Sequence, residues 1–103
     1  MSQNTSGSSS AIRALQVLHA LRGHTLDGVS NGELAKGLGV PAPAITRALA
    51  ALISTGFAVK LDNGRFAPSI ALLQQATAHA EELARASDRI NELKQRIFAG
   101  SRR

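Results

Sequence analysis

The groups of this 103-residue chain that could do chemistry are three histidines, twelve lysines and arginines, and seven carboxylates, with no cysteine. Their spacing limits what they can do. His19, His24 and His79 fall at no metal-ligand spacing. Without cysteine there is no thiolate for a zinc site, no disulfide and no thiol nucleophile. Gly32-Glu33-Leu34-Ala35-Lys36-Gly37 begins like a phosphate-binding loop, but Leu38 stands where that loop needs lysine. Gly37-Leu38-Gly39 resembles a dinucleotide-binding turn only in its glycines, because it comes after a helical pattern rather than a strand. The expectation is a protein that is not an enzyme and that holds no metal and no cofactor.

The remaining chemistry is cationic. The net charge is +5, and basic chains meet polyanions, either nucleic acid or anionic membrane. The longest strongly apolar stretch, Ala48–Val59, is too short to span a bilayer. The N-terminus lacks the basic-then-apolar pattern of a signal peptide. These features predict a cytoplasmic protein, with nucleic acid rather than membrane as its partner.

The elements that must position the cations are set by periodicity. Hydrophobic residues make up 44% of the chain but aromatics only 3%, a balance that suits packed helices better than a β-sandwich. Met1–Ser10 is polar and uncharged and is expected to be a disordered tail, with Ser9 or Ser10 capping the first helix. That helix is expected over Ala11–Arg22, its apolar stripe formed by Leu15, Leu18 and Leu21 with Ala11 and Ala14. Ser30-Asn31-Gly32-Glu33 fits a capping box, so a second, short helix starts there, with Leu34, Ala35 and Leu38 inward and Gly37 and Gly39 closing it. Ala42–Ser54 is the third, with Ile45, Ala48, Leu49, Leu52 and Ile53 on one face and Gly56 and Phe57 past its end. Phe57–Leu61 and Arg65–Ala67 read as strands around an Asp62-Asn63-Gly64 turn. Pro68-Ser69 then opens a long helical pattern over Ile70–Phe98, ended by Gly100.

Short helix, tight turn, longer helix is the order of a helix-turn-helix, and the hairpin after it makes a wing. The fold class expected is therefore mainly α, a winged helix-turn-helix of three helices plus a β-hairpin over residues 11–68. A C-terminal helix over 69–99 and a basic tail over 100–103 complete the chain. The third helix is the reading helix. Its exposed face carries Thr46, Arg47, Ala50 and Ser54, with Arg47 the leading candidate for a base or phosphate contact and Thr46 the next. Ala42, Pro43 and Ala44 open it and offer thymine methyls apolar contact only. Lys60, Asn63 and Arg65 in the wing, with Ser30, Lys36 and Arg13, are the candidates for phosphate.

In the long helix, Leu72, His79, Ala86 and Leu93 recur every seven residues, interleaved with Ala76, Leu83, Ile90 and Ile97. All but His79 are apolar, which predicts helix pairing between two chains. Leu72, Ala76, Leu83, Ile90, Leu93 and Ile97 are the expected dimer contacts, with His79 a tolerated polar interruption.

Between Ala14 and Leu73 the chain resembles the N-terminal domain of IclR-type winged helix-turn-helix transcription regulators. The resembling residues are Ala14-Leu15-Gln16-Val17-Leu18, Glu33-Leu34-Ala35-Lys36, Gly39-Val40-Pro41, Ile45-Thr46-Arg47-Ala48-Leu49, Leu52-Ile53-Ser54-Thr55-Gly56-Phe57 and Asn63-Gly64-Arg65-Phe66. The resemblance implies a regulator of transcription that binds double-stranded DNA, with the wing on the backbone or in the minor groove. Two departures qualify it. Only a helix stands in place of that family's large effector domain, so no small-molecule effector is expected. Ala42-Pro43-Ala44 also replaces the small hydroxyl residues usual at the start of the reading helix. The expected function is a homodimeric, sequence-selective regulator, more readily a repressor than an activator. Two other uses of the same fold stay open: a protein-interaction or assembly module, and a replication, partition or architectural accessory.

Overall fold

The computed structural model describes residues 8–101. The expected tail over Met1–Ser10 lies, for residues 1–7, outside the described residues, as do Arg102 and Arg103 of the basic tail. The elements run α1 (Ser9–Ala20), α2 (Asn31–Leu38), α3 (Ala42–Ser54), β1 (Ala58–Lys60), β2 (Phe66–Pro68) and α4 (Ile70–Ser101). Helix, helix, helix, hairpin, helix is the winged helix-turn-helix order. The chain divides into two compact units after Leu72.

The first unit is built around α3. Ile45, Ala48, Leu49 and Leu52 form its buried stripe, packed with Val17 and Leu21 of α1, Leu34 of α2, Val29 and Ala58. Ile53 is 39% exposed, so the buried face is narrower than expected: at about 100° per residue it falls at the edge of the stripe. A similar correction applies to α1. The buried pair is Val17 and Leu21, with Ala14 and Leu18 partly covered, whereas Leu15 is 58% exposed and Ala11 is exposed. Positions 14, 17, 18 and 21 satisfy helical spacing as well as 11, 14, 15, 18 and 21 do, and packing on α3 decides between them. The helix also begins two residues early. Neither Ser9 nor Ser10 is the cap; Ser8 holds that position without a side-chain cap bond.

Both ends of α2 obey local chemistry. The Glu33 amide donates to Ser30 Oγ at 3.0 Å, and the Ser30 amide donates to Glu33 Oε1 at 2.9 Å, completing the capping box. Gly39 takes the left-handed conformation at φ 67 and lets the chain turn directly into α3. Pro43 sits in the first turn of α3, where no intrahelical amide bond is lost. At the far end of α3 the Phe57 amide donates to Leu52 O at 2.8 Å and the Gly56 amide to Ile53 O at 3.1 Å, the paired bonds of a Schellman stop.

The hairpin is antiparallel, with Ala58 opposite Pro68, Val59 opposite Ala67 and Lys60 opposite Phe66. The first strand is shorter than expected, and the return strand is shifted by one residue to include Pro68, so the break falls at Ser69. Ser69 is buried and ties three pieces together. Its hydroxyl donates to Gly56 O at 2.7 Å and accepts from the Leu72 amide at 3.0 Å, capping α4, and its amide donates to Phe57 O at 3.1 Å. A third backbone segment joins the wing: Val29 exchanges two hydrogen bonds with Phe66, at 2.8 and 2.9 Å.

The second unit is the helix from Leu73 onward. α4 continues through Gly100 to Ser101; Gly100 does not end it, because a glycine near a helix end costs about 1 kcal/mol and does not force a break. No residue of α4 is buried. Among the described residues no single helix is long and apolar enough to cross a membrane.

Candidate nucleic-acid interface

The exposed side of α3 carries the reading candidates. Ala42, Pro43, Thr46, Arg47 and Ala50 are exposed and Ala44 is half-buried. Arg47 and Arg13 line one groove between α1 and α3, with a floor of Ala14, Ala44, Ala48 and Ala51 and a volume of about 420 Å³. Small residues on both helices make that groove, and the two guanidinium groups make it attractive to anions. Among the described residues Arg47 has no ion pair.

Thr46 is exposed and already engaged. Its hydroxyl accepts from Asn31 Nδ2 at 2.8 Å and donates to Ala42 O at 3.1 Å. It therefore holds the start of α2 against α3 and keeps only a spare lone pair for another partner. Asn31 Oδ1 is buried with no hydrogen-bond partner among the described residues, which sets a desolvation cost of about 1–3 kcal/mol against this tie. In the sequence Asn31 reads only as a spacer inside the capping box, and no local signal marks its role across the helix-turn-helix.

The wing is braced in the same way. Arg65 Nη2 donates to Glu33 Oε1 at 2.7 Å and Arg65 Nε donates to Gly28 O at 3.3 Å. Asn63 Oδ1 accepts from the Arg65 amide at 2.9 Å, and Asn63 Nδ2 donates to Asp27 O at 3.1 Å. Gly28 makes the close approach possible. It has φ 76, and a Cβ there would lie 2.8 Å from Arg65 Cβ and 2.9 Å from Leu61 Cδ1. The sequence marks Gly28 as a turn residue, but nothing in it points to contact with a wing thirty-seven positions away.

Glu33 is the acid that ties the capping box to the wing. The Ser30 amide and hydroxyl, and after them the Arg65 guanidinium, hold its carboxyl below the ordinary value of 4.5. It stays ionised, and Arg65 offsets its charge, which lowers the repulsion that a nearby phosphate would meet.

The candidates thus divide into two groups. Ser30, Thr46, Asn63 and Arg65 already bond to the scaffold. Arg47 and Lys36 are exposed without an ion pair among the described residues, and Lys60 lies over the Phe66 ring, 5.9 Å from its centroid. Among the described residues no cluster of three or more His, Asp or Glu could hold a metal ion.

Comparison with known proteins points the same way. The profile of the IclR helix-turn-helix domain matches residues 10–62. Among solved structures the chain is similar to an IclR family transcriptional regulator from Brucella abortus, with 21% identity and a TM-score of 0.64. That alignment covers 81% of this chain and 32% of the regulator, so the chain spans about a third of that protein's length. None of the curated proteins matches it.

Proposed function

From the premise that this chain belongs to the IclR helix-turn-helix family, we propose that it is a sequence-selective regulator of transcription that binds double-stranded DNA as a homodimer. α3 enters the major groove, with Arg47 as its principal polar contact and Ala42, Pro43, Ala44 and Ala50 against base edges and methyl groups. Lys36 and Lys60 meet phosphate. Ser30, Thr46, Asn63 and Arg65 act as positioning residues that fix α2 and the wing around the reading helix, with Ser30 and Arg65 also within the phosphate-facing set. Two protomers join through the α4 face of Leu72, Ala76, Leu83, Ile90, Leu93 and Ile97. The protein represses by occupying its site, since occupancy alone blocks a promoter.

The single observation that carries this reading is the two-sidedness of α3. One face is buried on α1 and α2 through Ile45, Ala48, Leu49 and Leu52, and the other stands open with the exposed Arg47 at its middle. A face read by so few hydrogen-bonding groups gives modest discrimination per domain, so DNA shape and a second protomer supply the rest. Selection of bound duplexes from a random pool tests this. The expected product is a near-palindromic site with half-sites about 34 Å apart or a multiple of that. A pool that emerges without enrichment contradicts sequence-selective binding.

A further inference from the structure

Among the described residues nothing covers the apolar stripe of α4. Leu83, Ile90, Leu93 and Ile97 are each more than half exposed, and of the whole helix only Leu72 is partly covered. A hollow beside Ala86 runs from this face onto its flank, lined also by Arg89, Ile90, Glu92, Leu93 and Arg96. Building on the homodimer reading above, we propose that α4 pairs antiparallel with α4 of a second copy of this chain, with Ala76 opposite Leu93 and Glu82 opposite Arg89.

Volume argues for this sense. The stripe residues Leu72, Ala76, His79, Leu83, Ala86, Ile90, Leu93 and Ile97 alternate steps of four and three. Parallel, in-register pairing sets each residue on itself. Ala76 then meets Ala76, Ala86 meets Ala86 and His79 meets His79, so two layers are hollow and one stacks imidazoles. Antiparallel pairing in the proposed register sets every small or polar residue of the stripe against a leucine or isoleucine. Leu72 faces Ile97, Ala76 faces Leu93, His79 faces Ile90, and Leu83 fills the hollow beside Ala86.

Charge argues for it independently. Gln75, Glu82, Arg89 and Arg96 line one flank of the stripe, and Leu73, Ala80, Ser87 and Lys94 the other. Parallel helices bring opposite flanks together. That sets Arg89 against Lys94 of the second copy, twice by symmetry, and gives Glu82 only Ser87. Antiparallel helices bring like flanks together. Glu82 then meets Arg89 of the second copy twice, Gln75 meets Arg96, and no like charges face each other. A slip of one heptad either way puts Glu82 on Glu82 or Arg89 on Arg89, so charge also selects the register. The two copies of Leu72 then stand about 25 residues of helical rise apart, roughly 37 Å, close to one turn of B-DNA.

The full chain has no cysteine, so introduced thiols report without background. The substituted positions are exposed, so the winged unit should fold unaltered. Affinity-tagged Ala76→Cys mixed with untagged Leu93→Cys should oxidise to a tagged-untagged dimer, while Ala76→Cys alone should not cross-link. A disulfide-linked dimer of Ala76→Cys alone overturns the antiparallel sense but leaves the homodimer intact. A wild-type dimer in sedimentation whose mixed thiols never cross-link overturns the register. A wild-type monomer at tens of micromolar overturns both the pairing and the homodimer. Charge gives a second readout. Arg89→Glu should weaken dimerisation roughly fivefold or more, and adding Glu82→Arg should restore it. Tighter association by Arg89→Glu alone, which pairing with Lys94 would produce, also overturns the proposal.

Discussion

α3 and α4 carry the same kind of apolar stripe and end in opposite states. In α3 the residues Ile45, Ala48, Leu49 and Leu52 are all buried; in α4 Leu83, Ile90, Leu93 and Ile97 stand in solvent. Helical spacing of apolar residues states that a face will be covered. It does not state whether the cover comes from the same chain. In α3 the cover is α1 and α2, and the first unit is complete with it. For α4 the proposed cover is a second molecule.

The sharpest way to break that contrast is to shorten one leucine in each stripe. Leu49→Ala should lower the unfolding free energy of the winged unit by about 2–5 kcal/mol, since it opens a cavity in a closed core. Leu93→Ala should leave that unit's denaturant midpoint unchanged within about 0.5 kcal/mol, and should instead raise the concentration needed for dimerisation. Equal losses from both variants at monomeric concentration would show that α4 is covered within its own chain.

A smaller effect is expected where the wing meets α2. Gly28→Ala adds a methyl group at positive φ, against Arg65 and Leu61. The combined backbone strain and overpacking should cost about 2–4 kcal/mol, read from urea unfolding. A neutral result would mean that the wing is not held closely there. No comparable glycine effect is expected in α4, where a Cβ at Gly100 meets nothing.

The smallest effect is electrostatic. Glu33 has its pKa lowered in the folded state, so its contribution is fully present above the ordinary value of 4.5 and is lost as pH falls through the lowered value. Urea midpoints of wild type and Glu33→Gln should therefore differ at pH 7 and converge as pH falls below the ordinary value of 4.5 and through the lowered one. A difference that does not change with pH would mean that the Ser30 and Arg65 contacts do not act through the carboxylate charge.

Much of this architecture can be read from local signals. The capping box at Ser30, the glycine after α2, Pro43 in the first turn of α3 and the Asn63-Gly64 turn are each decided by neighbours a few residues away, and the elements fall where those signals put them. What could not be read depends on distant partners. Val17 replaces Leu15 in the core because two stripes of equal spacing compete and only α3 separates them. The Val29–Phe66 bridge, the Asn31–Thr46 bond and the Arg65 brace join segments 15 or more positions apart. The candidate site shows the same division. Arg47 stands open as its place on α3 predicts, whereas Thr46, Asn63 and Arg65 have types suited to DNA contact and are engaged by the scaffold.

The central claim is that the open face of α3 and its cations bind duplex DNA. The direct test is affinity of the full chain for a selected duplex as salt is raised, measured by fluorescence anisotropy. With Arg47, Lys36 and Lys60 neutralising phosphate or reading bases, log K should fall linearly with log salt at a slope of roughly −3 or steeper. Arg47→Ala should weaken binding. An affinity that stays flat with salt, or one that Arg47→Ala leaves unchanged, would contradict it.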